Sequence, residues 1–364
     1  MSLLIEELKK YGDLIVPGVD LPEKNTANPF NPGLRPDRLI LKVTKNKSNI
    51  DDGAVSDLIN NIKEKFIREY FGEKDRKTQN FHHHFQIHCL KITLNEKDDP
   101  IRTIYPLLDS MEQKASLVSH LEKSTKSCLW VDSLFKTLYD SAVIPKPFPN
   151  IQEIALGDII SNINYGQATM KLFEDNYVSQ STELEIRKKI KEFANDDYRF
   201  YHNYTAIVNA DVDDLQPLLQ ALYHCKEEDA LCSFSKTLMQ YGQFASDTVA
   251  GLHGVPVYMG GDDLLFFSLV KYSDRTIFDI IETLDQKFRE MMLENCYIAE
   301  SIALWNSRIT IQNRRKHLNI PTISWGIALS YLNIRFMNHW IRLVPCYLIV
   351  RKNLKGKTVW HSGC

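Results

Sequence analysis

Much that would steer a first reading is missing from this chain of 364 residues. No apolar run approaches the roughly 20 residues that cross a bilayer, and the opening Met-Ser-Leu-Leu-Ile-Glu-Glu lacks the basic flank of a secretory signal. No Cys-x-x-Cys spacing occurs among the seven cysteines, so they read as reduced thiols in a reducing compartment, and a cytoplasmic protein with no membrane association is expected. Neither sign of charge dominates: 44 Lys and Arg face 46 Asp and Glu. That balance argues against a free-standing protein held on RNA by electrostatics, while leaving room for a subunit that meets RNA through its partners. Repeats and low-complexity tracts are absent apart from a run of histidines. His82, His83, His84 and His88 do not read as a metal site, because three consecutive imidazoles cannot face one ion and no acid adjoins them. With 44% hydrophobic residues, the chain has enough apolar material for two sizeable cores.

What is present centres on Val255-Pro-Val-Tyr-Met-Gly-Gly-Asp-Asp-Leu-Leu-Phe-Phe267. Two apolar runs flank a Gly-Gly-Asp-Asp turn, the pattern of a β-hairpin with carboxylates at its tip. Gly260 and Gly261 allow positive φ and close approach of a polyphosphate. Asp262 and Asp263 are hard oxygen ligands suited to Mg²⁺ or Mn²⁺. A second acidic group closes Thr205-Ala-Ile-Val-Asn-Ala-Asp211-Val-Asp213-Asp214, a β-branched and small-residue run that places Asp211 at a strand end. Strand alternation puts Asp211 and Asp213 on one face. If this strand lies beside the hairpin, Asp211 can share metal ions with Asp262 or Asp263. Asp213 or Asp214 could instead cap a helix from Leu215, but capping accounts for one acid and not three.

The spacing between these groups suits a nucleotidyl-transfer palm. A short helix is expected over 215–222, and an amphipathic helix over 233–252 from Phe234, Leu238, Tyr241, Ala245 and Val249. Ser273 could cap a helix with Ile277, Ile280, Ile281, Leu284 and Phe288 on one face, and 320–332 reads as a further strand. The resulting order of strand, helix, helix, hairpin, helix and strand is ferredoxin-like, in the α+β class.

The segment 203–332 resembles the palm, or cyclase-like, domain of the large subunit of type III CRISPR effector complexes. The resemblance rests on the Asp-Val-Asp strand end, Phe-Ser-Lys-Thr-Leu, Tyr-Met-Gly-Gly-Asp-Asp-Leu-Leu and Thr-Ile-Ser-Trp-Gly-Ile-Ala. It implies an enzyme that binds ATP and condenses it into cyclic oligoadenylate by two-metal chemistry when target RNA is bound. Partners would be the other effector subunits, with CRISPR RNA and target RNA reached through the complex. By the same resemblance Asp211, Asp262 and Asp263 are the catalytic and metal-binding acids. Gly260 and Gly261 are the phosphate-approach glycines, and Ser235 lines the nucleotide pocket from a helix start. The N-terminal half is more loosely similar to the first, non-catalytic cyclase-like domain of the type III-B version, through Arg35-Pro-Asp-Arg-Leu-Ile-Leu, the aromatic run 81–89 and Tyr105-Pro-Leu-Leu-Asp-Ser-Met-Glu112. No His-Asp dipeptide occurs, so the DNA-cleaving domain of some relatives is not expected.

The expected organisation is a degenerate first palm over 1–150, a helical linker over 151–202, the Gly-Gly-Asp-Asp palm over 203–332 and an aberrant tail over 333–364. The connector Ile144-Pro-Lys-Pro-Phe-Pro-Asn150 marks the first boundary. After Leu332 the periodicity fails, and a shifted codon frame would permit Tyr-Pro-Phe-Tyr-Glu-Ser-Leu-Asp-Lys-Ala-Arg, which is similar to the family's closing helix. An out-of-frame tail would leave the palm without its last strand and with an unpaired sheet edge. Two other readings stay open: a catalytically impaired or structural fragment of that subunit, and a diguanylate-cyclase-like enzyme. The latter fits less well because Leu264 follows the acids where that family has Phe.

Overall fold

A computed structural model describes residues 8–16, 38–43, 52–71, 89–95, 98–113, 154–158, 198–260, 262–308, 317–331, 347–352 and 358–363. Its centre is a six-stranded antiparallel sheet. Strand β3 (Tyr204–Val212) lies between β5 (Asp263–Leu269) and β8 (Ile323–Tyr331), with β4 (Val255–Gly260) outside β5. Taking β3, β4, β5 and β8 in chain order, their spatial order is fourth, first, third, second. This is the ferredoxin-like arrangement expected of the palm.

Alternation along the strands makes the sheet two-sided. Ala206, Val208, Ala210 and Val212 of β3, Leu264 and Phe266 of β5, and Ile323, Trp325 and Ile327 of β8 are buried on one face. Helix α3 (Leu215–Gly251) covers that face through Leu218, Leu222, Phe234, Leu238, Tyr241, Ala245 and Val249. Helix α4 (Ile277–Glu294) adds Ile277, Ile280, Ile281, Leu284 and Phe288, the stripe expected from the sequence. A third helix, α5 (Cys296–Ser307), packs against α3.

Several boundaries depart from expectation. The helices expected over 215–222 and 233–252 are one continuous helix, because Lys226, Glu227 and Glu228 between them are polar but good helix formers, with no breaker residue. The cap of α4 is Thr276 rather than Ser273. Asp279 accepts from the Thr276 backbone at 2.6 Å and from its hydroxyl at 2.7 Å, bonds that hold its carboxyl below the usual carboxylate range. Ser273 sits instead at φ 52° in the turn between β6 (Lys271–Tyr272) and β7 (Arg275–Thr276). Between α4 and α5, Asn295 caps α5 by accepting from Tyr297 N at 3.1 Å, while its amide donates to Ser233 Oγ and Thr237 Oγ1 on α3 at 3.2 and 2.8 Å. At the other end of α5, Asn306 exchanges two hydrogen bonds with the Leu318 backbone, at 2.8 and 2.9 Å.

The expected unpaired edge is not seen. Strand β9 (Tyr347–Lys352) pairs with β8 from Trp325 to Ala328, and β10 (Thr358–Gly363) pairs with β9. Strand pairing runs through backbone groups present in any sequence, so failed helical periodicity did not preclude it. Residues 332–346, between β8 and β9, lie outside the described residues.

A second palm is likewise not seen among the described residues before 150. These hold the pair β1 (Gly12–Val16) and β2 (Ile40–Val43), helix α1 (Asp52–Phe71) and helix α2 (Pro100–Gln113). Ile15 and Ile101 join the same apolar cluster as the palm residues rather than a separate core. Asp99 accepts from the Ile101 and Arg102 backbones at the start of α2, and its other oxygen lies 3.3 Å from His224 Nε2 on α3. Most of the aromatic run 81–89, the connector 144–150 and most of the linker 151–202 lie outside the described residues.

The end of α3 shows how tightly the hairpin is attached. His253 takes φ 58°, its N–H donates to Ala250 O at 3.1 Å, and Gly254 N–H donates to Val249 O at 2.8 Å, a Schellman ending. A Cβ at 254 would lie 2.6 Å from Val249 Cγ1 and 3.0 Å from the Phe267 and Val249 carbonyl oxygens, whereas one at Gly251 would meet nothing within 4 Å. Gly254→Ala is therefore expected to lower unfolding free energy by about 1–3 kcal/mol in urea titration. Gly251→Ala should raise it by about 0.5–1 kcal/mol.

Candidate nucleotide and metal site

Three strands meet at one end of the sheet, and there the acids gather. In the paired registers Asp211 of β3 stands directly opposite Asp263 of β5 on one side and Ser324 of β8 on the other. Directly paired residues project to the same face, so these three share the face opposite the helices. The exposure pattern agrees: Ala210, Val212, Leu264, Ile323 and Trp325 are buried on the helix side, while Asp211 and Asp263 are exposed. Gly260 pairs with Asp263 across the hairpin, closing the turn that contains Asp262. The Asp262 carbonyl accepts from Val212 N–H at 3.2 Å, fastening the turn to the end of β3. Gly261 lies outside the described residues.

Asp211 and Asp263 are thus brought together as expected, with Asp262 beside them in the turn. Ser235 is not brought to a helix start. It lies in the middle of α3, buried at 9% exposure, because the helix begins at Leu215. The strand registers that gather the acids do not involve it. Neither Asp213 nor Asp214, the alternative capping acids, caps through its side chain. Asp214 occupies the N-cap position of α3 at φ 55° without a side-chain cap bond.

Asp213 has another task, which the sequence reading missed. Thr322 Oγ1 donates to its Oδ2 and Ser324 Oγ to its Oδ1, each at 2.7 Å, and its N–H donates to Thr322 O at 2.8 Å. The carboxylate therefore ties the end of β3 to the start of β8. Two hydroxyl residues at alternate positions where a strand begins, opposite an acid-rich strand end, were the available signal.

Asp211 and Asp263 form a donor set that suits Mg²⁺ or Mn²⁺, which bind through one or two protein carboxylates and keep waters and phosphate oxygens in the remaining positions. Among the described residues no three His, Cys, Asp or Glu side chains converge as a self-sufficient metal cage. The arrangement fits an ion that arrives with a polyphosphate better than one held by protein alone.

Residues 204–339 match the family model for Cas10/Cmr2, second palm domain. The match covers the palm strands and α3 to α5 and stops before β9. No curated protein matches the chain. No described helix is long and apolar enough to cross a membrane.

Like charges directly opposite on paired strands repel, at about 0.2–1 kcal/mol. Asp263→Asn should therefore raise the thermal midpoint in EDTA, and the rise that Mg²⁺ plus ATP gives the parent protein should disappear. Differential scanning fluorimetry with and without Mg²⁺ checks both.

Proposed function

We propose that this chain, whose residues 204–339 carry a second palm domain of the Cas10/Cmr2 kind, is the ATP-handling large subunit of a type III CRISPR effector complex, type III-B-like. Its palm condenses ATP into cyclic oligoadenylate when the complex holds target RNA. The other effector subunits are its partners, and CRISPR RNA and target RNA are reached through them. The observation that carries this reading is the pairing of Asp211 with Asp263 across β3 and β5 at the open sheet end.

In this reading the chain supplies position and charge. Asp211 and Asp263 present carboxylate oxygens from two strands whose spacing is set by backbone hydrogen bonds, so little reorganisation is needed on binding. Asp262 holds the turn to β3 through its carbonyl, and its carboxylate is assigned a share in the metal site. Gly260, paired with Asp263, and Gly261 are assigned the close approach of a triphosphate to the backbone. A pair of divalent ions bound there would supply activation of a ribose hydroxyl and charge neutralisation at the leaving pyrophosphate. Ser235, buried within α3, keeps its assignment to the nucleotide pocket only through the family resemblance.

A second reading is a catalytically impaired subunit that binds nucleotide without turnover, favoured by a family match that stops at residue 339, before β9. The two separate in one experiment. In a reconstituted complex with CRISPR RNA, target RNA, ATP and Mg²⁺, the catalytic reading expects labelled oligoadenylate from the parent chain. The double variant Asp262→Ala with Asp263→Ala should make none, and Asp211→Asn should lose at least about 100-fold, as expected when a transition-state charge contact goes. Unchanged product from the double variant would refute the assignment. ATP binding with no product from the parent chain would establish the second reading.

A further inference from the structure

Ser324 stands next to Asp211 on the open face, and its chemistry is unusually constrained. A serine hydroxyl has one proton to donate and lone pairs to accept with. That proton is committed to Asp213 Oδ1 at 2.7 Å. A hydroxyl donating to a carboxylate forms a charge-assisted bond that is costly to exchange. Asp213 is itself fixed by Thr322 Oγ1 on its other oxygen and by its own N–H on Thr322 O. Ser324 Oγ is thereby left able only to accept, and no donor reaches it among the described residues. Ser324 and Asp213 are both half-buried, and Ser324 shares its face of the sheet with the exposed Asp211.

We infer that Ser324, its proton held by Asp213, accepts a hydrogen bond from the ribose 2′-hydroxyl of a nucleotide seated over Asp211 and Asp263, and so selects ribonucleotides over deoxyribonucleotides. This rests on the nucleotide reading above and adds a sugar preference to it. The hydroxyl is the 2′ one for a chemical reason. A 3′-oxygen acting as nucleophile gives up its proton during the reaction, whereas the 2′-hydroxyl stays intact and can donate throughout. An acceptor-only oxygen gains a bond from ribose and nothing from the hydrogen of deoxyribose. Asp213 acts here as a positioning residue and Ser324 as the group that touches the substrate.

The test is equilibrium binding of ATP and 2′-deoxy-ATP to the full chain in Mg²⁺. The parent protein should prefer ATP by about five- to tenfold, the scale of one neutral hydrogen bond. Ser324→Ala should bring that ratio to near one, chiefly by weakening ATP, and Ser324→Thr should keep it. Thr322→Val, which removes the other hydroxyl on Asp213, should lower the thermal midpoint yet leave a clear preference for ATP, which separates selection from mere stability. A parent ratio of one, read without any variant, overturns the inference while the nucleotide reading stands. An undiminished ratio in folded Ser324→Ala also overturns it. If neither nucleotide binds the parent chain, the nucleotide reading falls and this inference with it.

Discussion

The site depends on the double pairing of β3. Its backbone is hydrogen-bonded on both sides, to β5 and to β8, and those two registers alone put Asp211 in line with Asp263 and Ser324. Side chains on a strand change face at every residue, so a slip of one position would bury Asp211 and expose Ala210 or Val212. What prevents the slip is the other face. Ala206, Val208, Ala210 and Val212 are packed against helices, and each would have to leave the core for the register to move. Burial on one side of the sheet thus secures the positions of charges on the other. It also keeps two carboxylates close that would otherwise separate.

The central strands and the hairpin were legible in the sequence because period-two alternation and a Gly-Gly-Asp-Asp turn are local signals. The apolar face of α4 was legible for the same reason, its stripe repeating at three and four residues. The join within α3 was not: a polar stretch between two apolar patterns resembles a loop, yet its residues favour helix. Ser235 lies mid-helix rather than at a helix start for the same reason. The cap of α4 shifted by three residues because Ser273 and Thr276 are both plausible caps, and only the Asp279 carboxylate three residues after Thr276 distinguishes them.

Long-range features were harder to see. That Asp213 would take the hydroxyls of Thr322 and Ser324, more than a hundred residues later, is marked only by their alternate spacing, which does not say what they meet. The pairing of β9 with β8 is equally silent, because a strand is recruited through its amides and carbonyls. The attachment of the N-terminal elements to α3 depends on contacts such as Asp99 with His224, which join residues far apart in the chain. Helical or strand periodicity reports burial along one element and says little about which element lies against it.

Helix α5 carries none of the chemistry, yet the third strand of the site takes its station from it. Asn295 bolts one end of the helix to Ser233 and Thr237, and Asn306 bolts the other to Leu318, five residues before β8 begins. Between these two asparagines the helix is a spacer of fixed length. It sets the span between an anchor on α3 and the residues that lead into β8. Alignment beside Asp211 is in this sense measured out on the far side of the molecule, by two amides that never approach a substrate.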